Sequence, residues 1–124
     1  MTSILRKGSY LFASVHTALD DSAMIRFRHD LVDQIGEYRA TGVVIDVAAL
    51  DVLDSFGFTT LRSIAEMAPL RGATTVIVGI QPDVALAMVR LGMSSGSVAT
   101  ALDVEEGVAY LDRQVSRRSS VTPS

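Results

Sequence analysis

The chain of 124 residues has no cysteine and no tryptophan, and only three prolines and two histidines. Without cysteine there is no disulfide, no thiol nucleophile and no thiolate metal site. His16 and His29 lie far apart in sequence and make no zinc-type spacing, so no metal and no cofactor is expected. Positive charge is thin too. Eleven Lys and Arg stand against fourteen Asp and Glu, the net charge is −3, and no basic cluster lies in the body of the chain. A general nucleic-acid-binding face needs such a cluster to neutralise phosphates, so that class is set aside. No apolar run approaches the roughly 18–20 residues that cross a bilayer. The apolar part of MTSILRKGSYLF is too short for a secretory signal. A cytoplasmic protein with no membrane contact is the expectation.

What is present fits one domain. The hydrophobic share is 48% and the charged share 20%, enough to bury a core without staples at this length. Residues 3–16, SILRKGSYLFASVH, read as a hairpin turning at Lys7-Gly8-Ser9. From Asp20 the period changes. Met24, Phe27, Leu31, Ile35 and Tyr38 recur at steps of three and four, which predicts an amphipathic helix, capped by Asp20 or Asp21 and ending before Gly42.

The β-branched run Val43–Val47 suits a strand covered on both faces. A second helix follows from about Ser55, with Leu61, Ile64, Ala65 and Ala68 as its stripe and Pro69 at its end. Thr74–Val78 is the next buried strand. Pro82 then opens a third helix carrying Val84, Met88 and Leu91 and stopped by Gly92. Ser97–Thr100 is a short strand. Asp103 and Glu106 form a capping-box-like pair ahead of a fourth helix with Val104, Val108, Leu111 and Val115. The polar segment 116–124 is expected to be a disordered tail, leaving 1–115 as a single domain. Alternating strands and helices argue for an α/β fold. Its mixed sheet has an N-terminal hairpin and parallel central strands, with about four helices packed on it.

The stretch DVLDSFGF, residues 51–58, joins a buried strand to a helix. Ser and Asp are both preferred N-caps, so Asp54 and Ser55 have an ordinary structural role available. A hydroxyl at that place also lies at the sheet edge, where another protein can reach it. The helix amino end there favours an added phosphate. Phe56 and Phe58 flank the serine; core packing is the common role of such residues, and either could instead anchor a partner. Gly57 hints at a packing or access requirement inside a helix. The turn Gly79-Ile80-Gln81-Pro82 should lie beside Ser55, because neighbouring parallel strands put their carboxyl ends at one edge. Asp46 ends a strand, where capping a backbone group is its plain role. Met24, Met67, Met88 and Met93 read as core fillers.

The segments GVVIDVAALDVLDSFGFTTL, RGATTVIVGIQPDVALAMVRLGM and TALDVEEGVAYL resemble STAS domains, the anti-sigma-factor-antagonist-like family, and within it the RsbS-like stressosome group. The resemblance covers roughly residues 3–115. It implies the STAS fold, and it implies that Ser55 is the phosphorylation site. Asp54, Phe56, Gly57, Phe58, Gly79, Ile80, Gln81 and Pro82 would then form the partner surface. Ala87 stands where related scaffold proteins often carry a second phosphorylatable threonine, so one main phosphosite is expected. Those relatives also carry an N-terminal sensor domain, for which this chain has no room. The implied role is a non-enzymatic regulator that holds an RsbT-type serine/threonine kinase, beside RsbR-type STAS scaffold paralogues, and releases it when Ser55 is phosphorylated. An RsbX-type phosphatase would reset the site. The protein would work as a homo-oligomer or within a large hetero-assembly. Three alternatives remain at this level. They are an antagonist that binds an anti-sigma factor directly, a serine hydrolase, and a small-ligand sensor. No GxSxG elbow, P-loop or GxGxxG supports the last two.

Overall fold

The Lys7-Gly8-Ser9 turn closes a hairpin between β1 (Thr2–Lys7) and β2 (Tyr10–Val15), with Lys7 opposite Tyr10. Gly8 takes φ +61°, a conformation that glycine adopts without steric cost. The computed structural model describes residues 2–17, 19–92 and 98–121. Met93 and Ser97, read above as a core filler and a strand residue, lie outside the described residues. After the hairpin come α1 (Asp21–Tyr38), β3 (Gly42–Asp46) and α2 (Ser55–Met67), then a 3-10 turn (Ala68–Arg71) and β4 (Thr74–Val78). The chain continues through α3 (Pro82–Arg90), β5 (Ala99–Ala101) and α4 (Val104–Val121). The sheet has five strands in the order β1-β2-β3-β4-β5; β1 runs antiparallel to β2 and all later pairs are parallel. The mixed α/β architecture expected from the sequence is therefore present.

The pleat divides the core in two. Leu11, Ala13 and Val15 of β2, with Val43 and Ile45 of β3, point to one face. There they pack on Met24, Phe27, Leu31 and Ile35 of α1 and on Leu61 and Ile64 of α2. Val44, Val76 and Val78 point to the other face, against Leu111 of α4. Both faces of the central strands are thus covered, the arrangement that permits uninterrupted Val and Ile runs.

Several details differ from the sequence reading. α1 ends with Arg39 in the left-handed region, φ 51°, rather than at a glycine. Gly42 instead opens β3, where a Cβ would lie 2.8 Å from Leu111 Cδ1 and 2.9 Å from the Tyr10 ring. Packing across the sheet, not helix termination, uses that glycine. Met67 is exposed at the end of α2, beside Ser63, while Met24 and Met88 are buried as expected. α4 runs on through 116–121, part of the segment read as a polar tail; residues 122–124 lie outside the described residues. SRRSS contains no helix breaker, and basic residues suit a helix carboxyl end.

Tyr10 ties the hairpin to α4. Its hydroxyl donates to Asp112 Oδ1 at 2.6 Å. Burial, the hydrogen bond and the adjacent carboxylate push the phenol up from 10.0 to about 12. A group whose pKa is raised by folding contributes stability below its unfolded value and loses it as the pH climbs through the folded value. Urea midpoints should therefore fall from about pH 10 to about pH 12. Tyr10→Phe should flatten that part of the profile.

Candidate functional site

Strand β3 leaves the sheet at Asp46, whose Oδ1 accepts from the Ala48 N–H at 2.9 Å. The Leu50 N–H then reaches back to the Val47 carbonyl at 2.9 Å, folding the connection into a tight turn. Asp46 has the capping role expected of it. At the far end of the loop Asp54 is the N-cap of α2. Its backbone is extended and its Oδ1 accepts from the Gly57 N–H at 2.7 Å. Ser55 is thus the first helical residue and not the cap. It is exposed, and its hydroxyl is left out of the cap that Asp54 completes. The remaining amide N–H groups of the first turn give the neighbourhood a partial positive charge.

The second turn lies against the first. Gln81 Nε2 donates to the Ala48 carbonyl at 2.7 Å, across 33 residues of sequence. The Val47 N–H donates to the Val78 carbonyl at 3.0 Å. Gly79 permits this approach. It takes φ +77°, and a Cβ there would lie 2.9 Å from Ala48 Cβ and 3.2 Å from the Ala48 backbone. Gly79→Val combines left-handed strain with a clash against main chain. It should cost about 2–4 kcal/mol, measured as a lower urea midpoint, and should force the two turns apart.

The structure sorts the expected surface residues into two groups. Asp54, Ser55 and Pro82 are exposed, and Phe56, Gly79, Ile80 and Gln81 are half-buried. Gly57 and Phe58, expected at the partner surface, are buried instead. A Cβ on Gly57 would meet Leu53 Cδ1 at 2.9 Å and the capping Asp54 Oδ1 at 3.1 Å. Close packing under the cap, not access for a partner backbone, therefore explains this glycine. Phe58 is 3% exposed and packs with Val84 and Met88 of α3, flanked by Leu53 and Ile80. It supports the site from beneath.

Two exposed side chains were missed. Val52, in the loop before the cap, is 63% exposed, and Leu86 lies outward on α3. The loop path sets the exposure of Val52, and the phase of α3 that buries Val84 and Met88 turns Leu86 outward. The charge of the site is of one sign. Asp51, Asp54 and Asp83 are exposed, and residues 40–61 and 72–89 contain no Lys or Arg.

His16 follows β2 at the same sheet edge, but its ring meets Ser3 Oγ at 3.4 Å, and His29 pairs with Asp33 at 3.2 Å. Among the described residues no cluster of His, Asp and Glu could hold a metal ion, and no helix is long and apolar enough to cross a membrane.

Comparison with known proteins agrees with this geometry. The STAS domain family matches residues 4–107. RsbT co-antagonist protein RsbRA of Bacillus subtilis (strain 168) is 26% identical over 90 residues, 73% of this chain and 33% of that protein. The chain thus spans about a third of the length of that curated relative. Among solved structures, a serine-to-glutamate variant of Moorella thermoacetica RsbS is 31% identical with a TM-score of 0.83, covering 93% of this chain and 97% of that one. A chain from the molecular architecture of the stressosome, a signal integration and transduction hub, is 30% identical with a TM-score of 0.75, covering 91% and 98%. An alternating strand and helix order and a family match over most of the length converge: the chain belongs to the STAS domain family and is similar within it to Moorella thermoacetica RsbS and to a stressosome chain.

Proposed function

We propose that this protein is a non-enzymatic regulatory module of a cytoplasmic partner-switching system. In its unmodified form it holds an RsbT-type serine/threonine kinase, beside RsbR-type STAS paralogues in a stressosome-like assembly. The kinase transfers the γ-phosphoryl group of ATP to Ser55 Oγ, the serine proton passes to the kinase, and ADP remains. The phosphorylated surface then releases the kinase, and an RsbX-type phosphatase hydrolyses the ester to reset it. The likeness to RsbS and to the stressosome chain supports the assembly. The observation that carries the reading is the exposed Ser55 at the first position of α2, with Asp54 already serving as its cap.

Physical chemistry favours such a switch here. A phosphate adds about −1.5 to −2 charges. The helix amino end tolerates it, so the domain stays folded. Asp51 and Asp54 are already exposed nearby, so a docked partner meets like charge and must desolvate a dianion. The test is phosphosite mapping after incubation with an RsbT-type kinase and ATP. Phosphate is expected on Ser55, and none on the Ser55→Ala protein, which keeps the kinase bound. Phosphate found only at other residues overturns the reading.

A further inference from the structure

Arg62 is the first basic residue after Arg39, and it stands on the same helix as Ser55. Helix α2 places Ser55, Thr59 and Arg62 at i, i+4 and i+7, a single stripe along its surface. Ser55 and Thr59 are exposed and Arg62 is half-buried. A long side chain in a helix leans toward the amino end, over the turn before its own Cα. Arg62 does so, and its guanidinium carbon lies 5.5 Å from the centre of the Phe58 ring. The charged head therefore sits beside residue 58, about one turn from Ser55 rather than two. This guanidinium has no carboxylate. Among the described residues no Asp or Glu pairs with it, Glu66 one turn further on included. Its five N–H donors have no protein acceptor. The Thr59 hydroxyl is also uncommitted, whereas Thr60 beside it donates to the Phe56 carbonyl at 2.8 Å.

A guanidinium without a partner, one turn from a serine that accepts phosphate, has the chemistry to hold the product. Arginine binds phosphate oxygens through paired N–H donors. The Thr59 hydroxyl, leaning toward the same end of the helix, adds one more donor. We propose that Arg62, aided by Thr59, is an internal clamp for the phosphate on Ser55, holding it against α2 as a dianion. The inference rests on the reading of Ser55 as the phosphorylated residue and adds what becomes of the phosphate afterwards. Asp51, Asp54 and Asp83 make the surroundings acidic, so a dianion there needs a positive charge beyond the helix amino end. Arg62 supplies it from within the same helix. It is a positioning residue: it takes no part in the transfer, and it fixes where the phosphate lies and which charge it carries.

Phosphoserine incorporated at position 55 during translation gives the modified full chain without any kinase. Its second ionisation is read by phosphorus NMR. Asp51, Asp54 and Asp83 raise that pKa and the helix amino end lowers it, and these influences are common to every variant compared. Arg62→Met removes the guanidinium and keeps a long apolar stem over Phe58. It should raise the phosphoserine pKa by about 0.5–1 unit. Arg62→Lys should recover about half of that, since a point charge remains without the paired donors, and Thr59→Val should cause a smaller rise. The difference between the parent and Arg62→Met should shrink in about 1 M salt. A second measurement needs no substitution: the Arg62 Nε–H resonance should shift on phosphorylation and follow the phosphate titration. A phosphoserine pKa that is the same with Arg62 and with Met, or an Nε–H resonance blind to the titration, overturns the clamp and leaves Ser55 as the phosphorylated residue. Kinase-treated protein carrying phosphate only at other residues overturns that assignment instead, so the two failures are distinct.

Discussion

Ser55→Asp is expected to leave the domain folded and to weaken binding of an RsbT-type kinase by about 100-fold or more. The two halves of this result have separate causes. Ser55 is exposed at the first position of α2. A carboxylate there replaces no buried contact and faces the positive end of the helix dipole, a gain of about 0.3–1 kcal/mol. The melting temperature should hold or rise slightly. Binding responds differently. The surface already carries Asp51, Asp54 and Asp83, and residues 40–61 and 72–89 contain no Lys or Arg. Like charge placed at a desolvated contact costs several kcal/mol, and about 1.4 kcal/mol is a tenfold change. Calorimetric titration of the kinase with both proteins reads the effect directly. An affinity within threefold of the parent would show that the partner does not sit over Ser55.

Phe58→Ala should be the most damaging single change to stability near the site. Phe58 joins α2 to α3 through Val84 and Met88, and its ring lies 5.5 Å from the Arg62 guanidinium. Truncation loses the transfer energy of a buried ring and leaves a cavity, about 3–5 kcal/mol together. A domain of this size has only about 5–15 kcal/mol in total. The melting temperature should drop by about 10–20 °C. The damage should also be local first. α3 rests on this small cluster, so amide exchange should quicken across 82–90 well before it does in α1. Uniform loss of protection across both helices would mean that the cluster belongs to the main core.

Strands and helix centres were legible because their signals are local. Val43–Val47 and Thr74–Val78 are unbroken β-branched runs, and the structure places β3 and β4 within one residue of them. The α1 stripe likewise follows from its spacing: Met24, Phe27, Leu31 and Ile35 are buried, while Tyr38 at the helix end is exposed. The site was legible in outline: Ser55 opens α2, and the turn 79–82 lies beside it. Its finer sorting was not. Asp54 and Ser55 are both good caps, so only the backbone path decides between them. Phe56 and Phe58 are two residues apart and so face nearly opposite sides of the helix, and propensity does not say which faces inward. Gly42 looked like a helix stop because the ring and methyl groups that crowd it come from β2 and α4. The bond from Gln81 to Ala48 joins distant positions, and no short-range pattern announces it.

The sheet is laid down in the same order as the chain. Each strand emerging from a ribosome therefore finds its neighbour already made, and no gap waits for a later segment to fill it. Such sequential growth keeps contacts near in sequence, which favours rapid folding. It also means that the nascent protein has a finished edge at every stage, with α1 and α2 in place to cover one face before β4 is synthesised.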